Sequence, residues 1–396
     1  MANIPVKWAH SGMRGAPVIN GVVGSLIGAI RTFLITGFAP TAAVSAAALD
    51  GIATIMLPSG QSFEEHGVVL LAGATTPGFN GEERVLTTAS DRITVATTAA
   101  NGPIAGSITV RYAPVGGWEE VFSKTNVSVF RSVDPTGNRM FLRVDDTNAL
   151  FARVVGYESM TDVDTGTGAF PTAVQMPGGG YWHKSITANA TAVRWKMVAD
   201  SKFLLHAIAP YVGASSSDTT AAPARGFGDP LALSPSGDAW GCVLSVAGTS
   251  TASGPFTNGS FDACTTSSVT GGGAIYSPRA LSGLGSAVIS DPKSFAGGRT
   301  YSGSDGAMGA LPSRVDGQIK FSTIYCAESD SVPRVVLPAI HYIPQSGALS
   351  VLADGDFLPG SGAMAGKRMF VVGTGPSTSS AAGRYLLDIT GPNWRA

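Results

Sequence analysis

Between Ala48 and Pro114 the chain reads Ile52-Ala53-Thr54-Ile55-Met56, Val68-Val69-Leu70-Leu71, Glu83-Arg84-Val85-Leu86-Thr87, Ile93-Thr94-Val95-Ala96-Thr97 and Ser107-Ile108-Thr109-Val110-Arg111-Tyr112. Most of these runs alternate apolar with polar residues, and a period of two puts alternate side chains on opposite faces of an extended chain. Five runs at this density, separated by glycine, proline and polar residues, predict a small compact β-barrel or β-sandwich module over 48–114. Asn80-Gly81 lies between the second and third runs. Both residue types tolerate positive φ, so the pair predicts a tight turn. Glu64-Glu65 and Glu82-Glu83 read as solvated strand ends.

Outward from this module the pattern changes on both sides. Upstream, residues 1–47 read as an N-terminal arm and one amphipathic helix: Val22, Val23, Leu26, Ile27, Ile30, Phe33 and Leu34 recur at spacings of three and four after Asn20-Gly21, and Gly37 and Pro40 close the segment. About four buried turns are expected. Gly24 and Gly28 form a GxxxG, read here as close packing of the helix on a sheet, since no apolar stretch reaches the ~20 residues of a membrane helix.

Downstream, 115–396 reads as a larger β-rich body with a subdivision near 213–230. Two hairpins stand out. In the first, Met140, Leu142 and Val144 alternate with Arg139, Phe141, Arg143 and Asp145, and Asp146-Thr147-Asn148 turns the chain into Phe151–Tyr157; in the second, Val193–Val198 turns at Asp200-Ser201 into Phe203–Ile208. The fold class expected is therefore mainly β, built from sandwich or barrel domains, with one N-terminal amphipathic helix.

Composition narrows the functions. The 396 residues include 13% charged and 44% hydrophobic residues, and the formal net charge is −1. A charge content about half that of ordinary soluble domains suits either a Ser/Thr/Gly-rich β-protein with a polar, uncharged surface or a subunit covered by neighbours in an assembly. With no basic excess, nucleic acid is not an expected partner. No membrane span is expected, and the start Met1-Ala2-Asn3-Ile4-Pro5 lacks the charged and apolar segments of a secretion signal. Cys242, Cys264 and Cys326 show no CxxC spacing; buried thiols are expected, with a Cys242–Cys264 pair as the alternative.

Signatures of chemistry are missing where they would be sought. No serine has the flanking glycines of a hydrolase elbow. Gly360–Lys367 approaches a phosphate-binding loop, but its spacing fails and Arg368 stands where a hydroxyl would hold magnesium. His10, His66, His183, His206 and His341 are scattered. Asp162 and Asp164 have the spacing of a calcium loop, yet Ala173 stands where the bidentate Glu would be, so a turn capped by Asp side chains is the reading. A non-enzyme without metal or cofactor is expected. The six tryptophans read as core and interface anchors, and Tyr181-Trp182-His183, after three glycines, is the candidate surface contact for a glycan or receptor. Arg143, Asp145, Arg153 and Glu158 are a candidate ion network between strands or subunits, against an ordinary solvent-facing cross-strand set.

Several stretches carry a resemblance: Val6-Lys7-Trp8-Ala9-His10-Ser11-Gly12-Met13, Leu142–Asp146, Arg153–Gly166 and Leu387–Pro392. Together they resemble virion structural proteins of tailed bacteriophages of proteobacteria, and the 48–114 module, with Gly67–Ala74 and Phe79–Glu82, is similar to a small β-domain inserted in phage tail proteins. The resemblance implies a particle component of the tail, tail tip or baseplate, made in the host bacterial cytoplasm. It would act by fitting against copies of itself in a symmetric ring and against other virion proteins. A capsid or neck decoration protein, and a receptor-binding or depolymerising tail protein that takes a host surface glycan, are the alternatives.

Overall fold

Each of the five runs with period two is a strand: Ile52–Met56, Val68–Ala74, Gly81–Ala89, Arg92–Ala96 and Gly106–Tyr112. They belong to a computed structural model that describes residues 4–61, 63–211, 222–251, 260–262, 274–294, 305–328, 332–374, 383–390 and 394–395. Among the described residues strand makes up 47% and helix 5%, so the protein is mainly β.

The five strands are joined by Phe38–Ala42, Ser45–Leu49 and Gly102–Pro103. Pairing runs antiparallel from Ser45–Leu49 through Ile52–Met56, Arg92–Ala96, Gly81–Ala89, Val68–Ala74 and Gly106–Tyr112, which returns to Phe38–Ala42. The pairing is an open path of eight strands that curls into an incomplete ring, with Ala53, Ile55, Val69, Ile93, Val95 and Val110 buried inside. The boundary expected at 48 falls within Ser45–Leu49. The curl needs a sharp bend where Gly73 meets Gly106. Both have positive φ, 86° and 119°. A Cβ on Gly73 would lie 2.1 Å from the Ser107 carbonyl oxygen, and one on Gly106 2.3 Å from that of Gly73.

The tight turn expected at Asn80-Gly81 is instead a longer loop from Thr75 to Asn80. Asn80 closes it with its side chain: Oδ1 accepts from Ala74 N at 3.0 Å and Nδ2 donates to Ala74 O at 2.7 Å. The amide imitates a paired backbone, which lets the loop lengthen without loss of register.

The N-terminal helix is shorter than its periodicity predicts. Ser25–Arg31 is α-helical and Thr32–Thr36 continues as a π-turn. Val22 and Val23 lie outside it and are exposed. The reason is a turn at Asn20: its Oδ1 accepts from Val22 N, and Ser25 Oγ donates to Asn20 O. Gly24, at φ 79°, then starts the helix. The two glycines do not pack the helix on a sheet. Gly24 serves its left-handed conformation, and nothing lies within 4 Å of a Cβ built on Gly28.

Helix and strand are joined by charge. Asp146, in the turn expected there, is fully buried. Its Oδ2 accepts from Leu26 N at 2.8 Å and from Ile27 N at 3.3 Å, while Oδ1 accepts from Lys184 Nζ. Lys184, also fully buried, donates to Val22 O at 2.7 Å. A residue 120 positions away thus caps the helix, doing what an Ncap side chain does locally.

Trp118–Lys124, Val127–Ser132, Phe141–Asp145, Phe151–Tyr157 and Gly180–His183 form a five-stranded antiparallel meander in chain order, apart from the last strand's longer connection. Both faces are covered: Leu142 and Val144 face the main core, whereas Phe141 packs with Val129 and Met160 in a small second cluster. The largest sheet has 13 strands, from Lys7–His10 and Arg194–Ala199 at one end to Arg368–Thr374 and Phe357–Pro359 at the other. It curls until its ends meet, so that Trp8 lies 5.5 Å from both Phe357 and Phe370 between ring centroids. The expected second hairpin is here, Arg194–Ala199 against Phe203–Ala209. The subdivision near 213–230 falls partly outside the described residues. Among the described residues no helix is long and apolar enough to cross a membrane.

Candidate functional site: the cleft between the strand ring and the large sheet

Of the three residues singled out as a surface contact, Trp182 lies in the interior, whereas Tyr181 and His183 are half-buried. Gly180–His183 is a strand, with Trp182 opposite Ala152. Trp182 is fully buried, donates Nε1–H to Ser245 O at 2.7 Å and meets the His206 ring edge-on at 4.4 Å. Tyr181 lies under Arg153, whose guanidinium is 4.1 Å from its ring centre. His183 Nε2 donates to Thr249 O, 3.0 Å away, and burial pushes its pKa down to about 4. The glycines explain the burial: a Cβ on Gly180 would lie 2.2 Å from Val246 Cβ, so this strand must approach the large sheet closely. Trp182→Phe is expected to cost about 2–3 kcal/mol, from the cavity it leaves and the Ser245 carbonyl it strands, measured by urea denaturation.

Arg143, Asp145, Arg153 and Glu158 do not form one network. Arg143 pairs with Asp145 at 3.4 Å and with Asp164 at 3.0 Å. Arg153 donates to Tyr181 Oη and to the carbonyls of Pro177 and Gly179. Glu158 reaches across to Arg279 in a bidentate pair, both contacts 2.7 Å. Strand alternation puts the first two on one face, but a guanidinium goes where carbonyls are unpaired, and the tight glycine turn at 177–179 offers two. Asp162 Oδ1 accepts from Asp164 N and Thr165 N, both at 2.8 Å, as a capped turn does. Lys367, in the glycine-rich loop, pairs with Asp388. Cys242 and Cys326 are buried thiols; Cys264, the partner considered for Cys242, lies outside the described residues. Among the described residues no group of three His, Cys, Asp or Glu is placed to hold a metal ion.

Where the strand ring meets the large sheet, polar groups converge instead. His66, at φ 67°, turns its carbonyl toward Trp8 Nε1 at 3.0 Å and Arg84 Nη1 at 2.6 Å, and its Nε2 accepts from Arg368 Nε at 3.0 Å. Lys7, buried, binds Glu82 at 2.9 Å and Val115 O at 2.8 Å. Burial lowers the Lys7 pKa, against the attraction of Glu82. These contacts fix the ring to the body through side chains from both.

Beside this junction a cleft of about 370 Å³ opens, lined by His10, Ser11, Glu64, Arg194, Lys196, Asp354, Phe357 and Phe370 among others. His10 Nδ1 accepts from Gly12 N at 3.1 Å, which places its proton on Nε2, facing Glu64 Oε2 at 2.9 Å. Lys196 pairs with Asp354 Oδ1, which also accepts from Gly373 N at 2.9 Å. Burial pulls the Lys196 pKa down, opposed by Asp354. Ser11 Oγ accepts from Trp195 N at 3.2 Å. Serine, histidine and carboxylate are thus neighbours, but both imidazole nitrogens are engaged elsewhere than at Ser11, so the set is not arranged to activate a nucleophile. Reading Glu64 as a solvated strand end missed this pair, because its partner is 54 positions away. No known family model matches the chain, and no curated protein matches it.

Proposed function

We propose that this chain is a non-catalytic structural subunit of a tailed-bacteriophage virion, located in the tail, tail tip or baseplate. The observation that carries the reading, beside the sequence resemblance, is an exposed apolar patch on the outside of the strand ring, beside the turn at Asp50. Leu49 is 66% exposed and stands opposite Ile52, 39% exposed. Ala47, Ala96 and Pro103, all exposed, are the paired neighbours: Ala47 lies opposite Pro103 and Ile52 opposite Ala96. Contiguous exposed apolar surface favours burial against another protein.

In this reading the ring is a barrel module held firmly at its base by the His66, Arg84 and Lys7 contacts, and its outer face meets a neighbouring subunit. Repetition around a symmetric ring of copies multiplies each weak contact. Synthesis in the host cytoplasm precedes incorporation into the particle. Purified particles labelled with antibody and viewed by electron microscopy test the assignment. Label at the tail or its distal end is expected; label on head or neck would move the subunit there, and unlabelled particles would remove the reading. Leu49→Asp combined with Ile52→Asp should leave the circular dichroism spectrum and thermal midpoint unchanged, because both side chains already face solvent. Incorporation into particles should fall at least about tenfold, as expected when two charges enter an apolar contact.

A further inference from the structure

We propose that the cleft bounded by His10, Glu64, Arg194, Asp354 and Phe357 binds a single neutral sugar ring. This does not depend on the virion reading. At about 370 Å³ the cleft is at the small end of the ~300–1,000 Å³ typical of small-molecule sites, room for one ring more than for a chain of them.

Charge selects a neutral ligand. Beside His10, which Gly12 N and Glu64 engage, the lining carries two carboxylates, Glu64 and Asp354, and two basic groups, Arg194 and Lys196. An anion would meet two carboxylates and a cation would meet two positive groups. A neutral polar molecule meets neither penalty.

The unused valences match hydroxyl groups. Glu64 takes its side-chain hydrogen bond on Oε2 and Asp354 takes both of its own on Oδ1, which leaves Glu64 Oε1 and Asp354 Oδ2 as acceptors. Ser11 Oγ accepts from Trp195 N and keeps its own hydrogen to donate. Arg194 is exposed at the rim and has no hydrogen-bond or ion-pair partner among the described residues. A sugar hydroxyl both donates and accepts, so adjacent hydroxyls can satisfy a carboxylate oxygen and a guanidinium together.

The apolar side of the cleft completes the match. Phe357 is 41% exposed, and Phe370 supports it edge-on at 5.0 Å with an interplanar angle of 64°. Trp8 packs behind both. A pyranose has one face of C–H groups, and an exposed aromatic held rigid from behind is a surface on which that face can lie without losing hydrogen bonds to water.

The full chain would be titrated with the methyl glycosides of glucose, galactose, mannose and N-acetylglucosamine, followed by saturation-transfer difference NMR and calorimetry. At least one should give a saturable signal with an affinity in the millimolar range or tighter. Arg194→Ala, at an exposed side chain that holds nothing else in place, should weaken it about tenfold or more, and Phe357→Ala likewise, with circular dichroism confirming the fold of each. The proposal is overturned if no glycoside binds up to about 50 mM, if binding is unchanged in Arg194→Ala, or if acetate, methylammonium or glycine occupies the cleft and glycosides do not compete.

Discussion

Lys184→Met should destabilise the protein by about 3–5 kcal/mol in urea denaturation, the usual cost of leaving one member of a buried ion pair without its partner. Lys184 and Asp146 are both fully buried. Burial pushes the Asp146 pKa up and the Lys184 pKa down, each against the pull of the other charge. The pair therefore exists at a desolvation cost and is held by its fixed partners: the Leu26 and Ile27 amides on one side, the Val22 carbonyl on the other. Methionine keeps the length of the lysine but strands the carboxylate. Adding Asp146→Asn should recover most of the loss, since a neutral amide can still accept from Leu26 N and no charge remains buried. If the two changes simply added, the pair would not be the joint between helix and meander that its geometry describes.

Acid should act through histidine. His206 is 1% exposed, its ring nitrogens have no hydrogen-bond partner among the described residues, and burial with the neighbouring Arg225 charge pushes its pKa down to about 3. His341, buried against Phe321, is pushed down to about 4 by burial. A depressed histidine pKa means that the unfolded chain binds the proton more readily. The contribution of each to stability is complete above the unfolded value near 6.5 and is lost as pH falls toward the folded value. Between pH 6.5 and 4.5 the loss is about 2 kcal/mol for each buried imidazole. Asp229 and Asp262, whose pKa values burial raises, work in the opposite sense. A comparison with His206→Leu isolates the imidazole. Near neutral pH the leucine variant should be about as stable as the parent or slightly more so, since it removes buried polar atoms without partners. At pH 4.5 the gap should widen in its favour by about 2.5 kcal/mol. Parallel stability curves for the two proteins would show that His206 does not titrate on unfolding.

Strands were legible because alternation is a local signal: Ile93, Val95 and Ala53, Ile55 announce their inward face without reference to the rest of the chain. Connections were less so. Asn80-Gly81 has the composition of a two-residue turn, but the Asn80 side chain bonds Ala74 and the loop runs longer. The helix periodicity counted Val22 and Val23, which an Asn20 turn keeps out of it. Site residues were the least legible. Tyr181-Trp182-His183 after three glycines has the look of a loop, whereas those glycines let a strand press against Val246. Asp146 and Lys184, His10 and Glu64, and Glu158 and Arg279 are separated by 38, 54 and 121 positions. No spacing rule spans such distances. What sequence did offer was a hint by scarcity: in a chain with only 13% charged residues, a carboxylate beside an apolar strand is often held by a partner.

The most direct test of the assembly reading is mass-spectrometric quantification of phage particles purified by density gradient from infected cells. The account predicts this chain in the particles at a fixed copy number relative to the major capsid protein, a multiple set by the symmetry of its ring. Its presence in the lysate but absence from the purified particles would contradict the account.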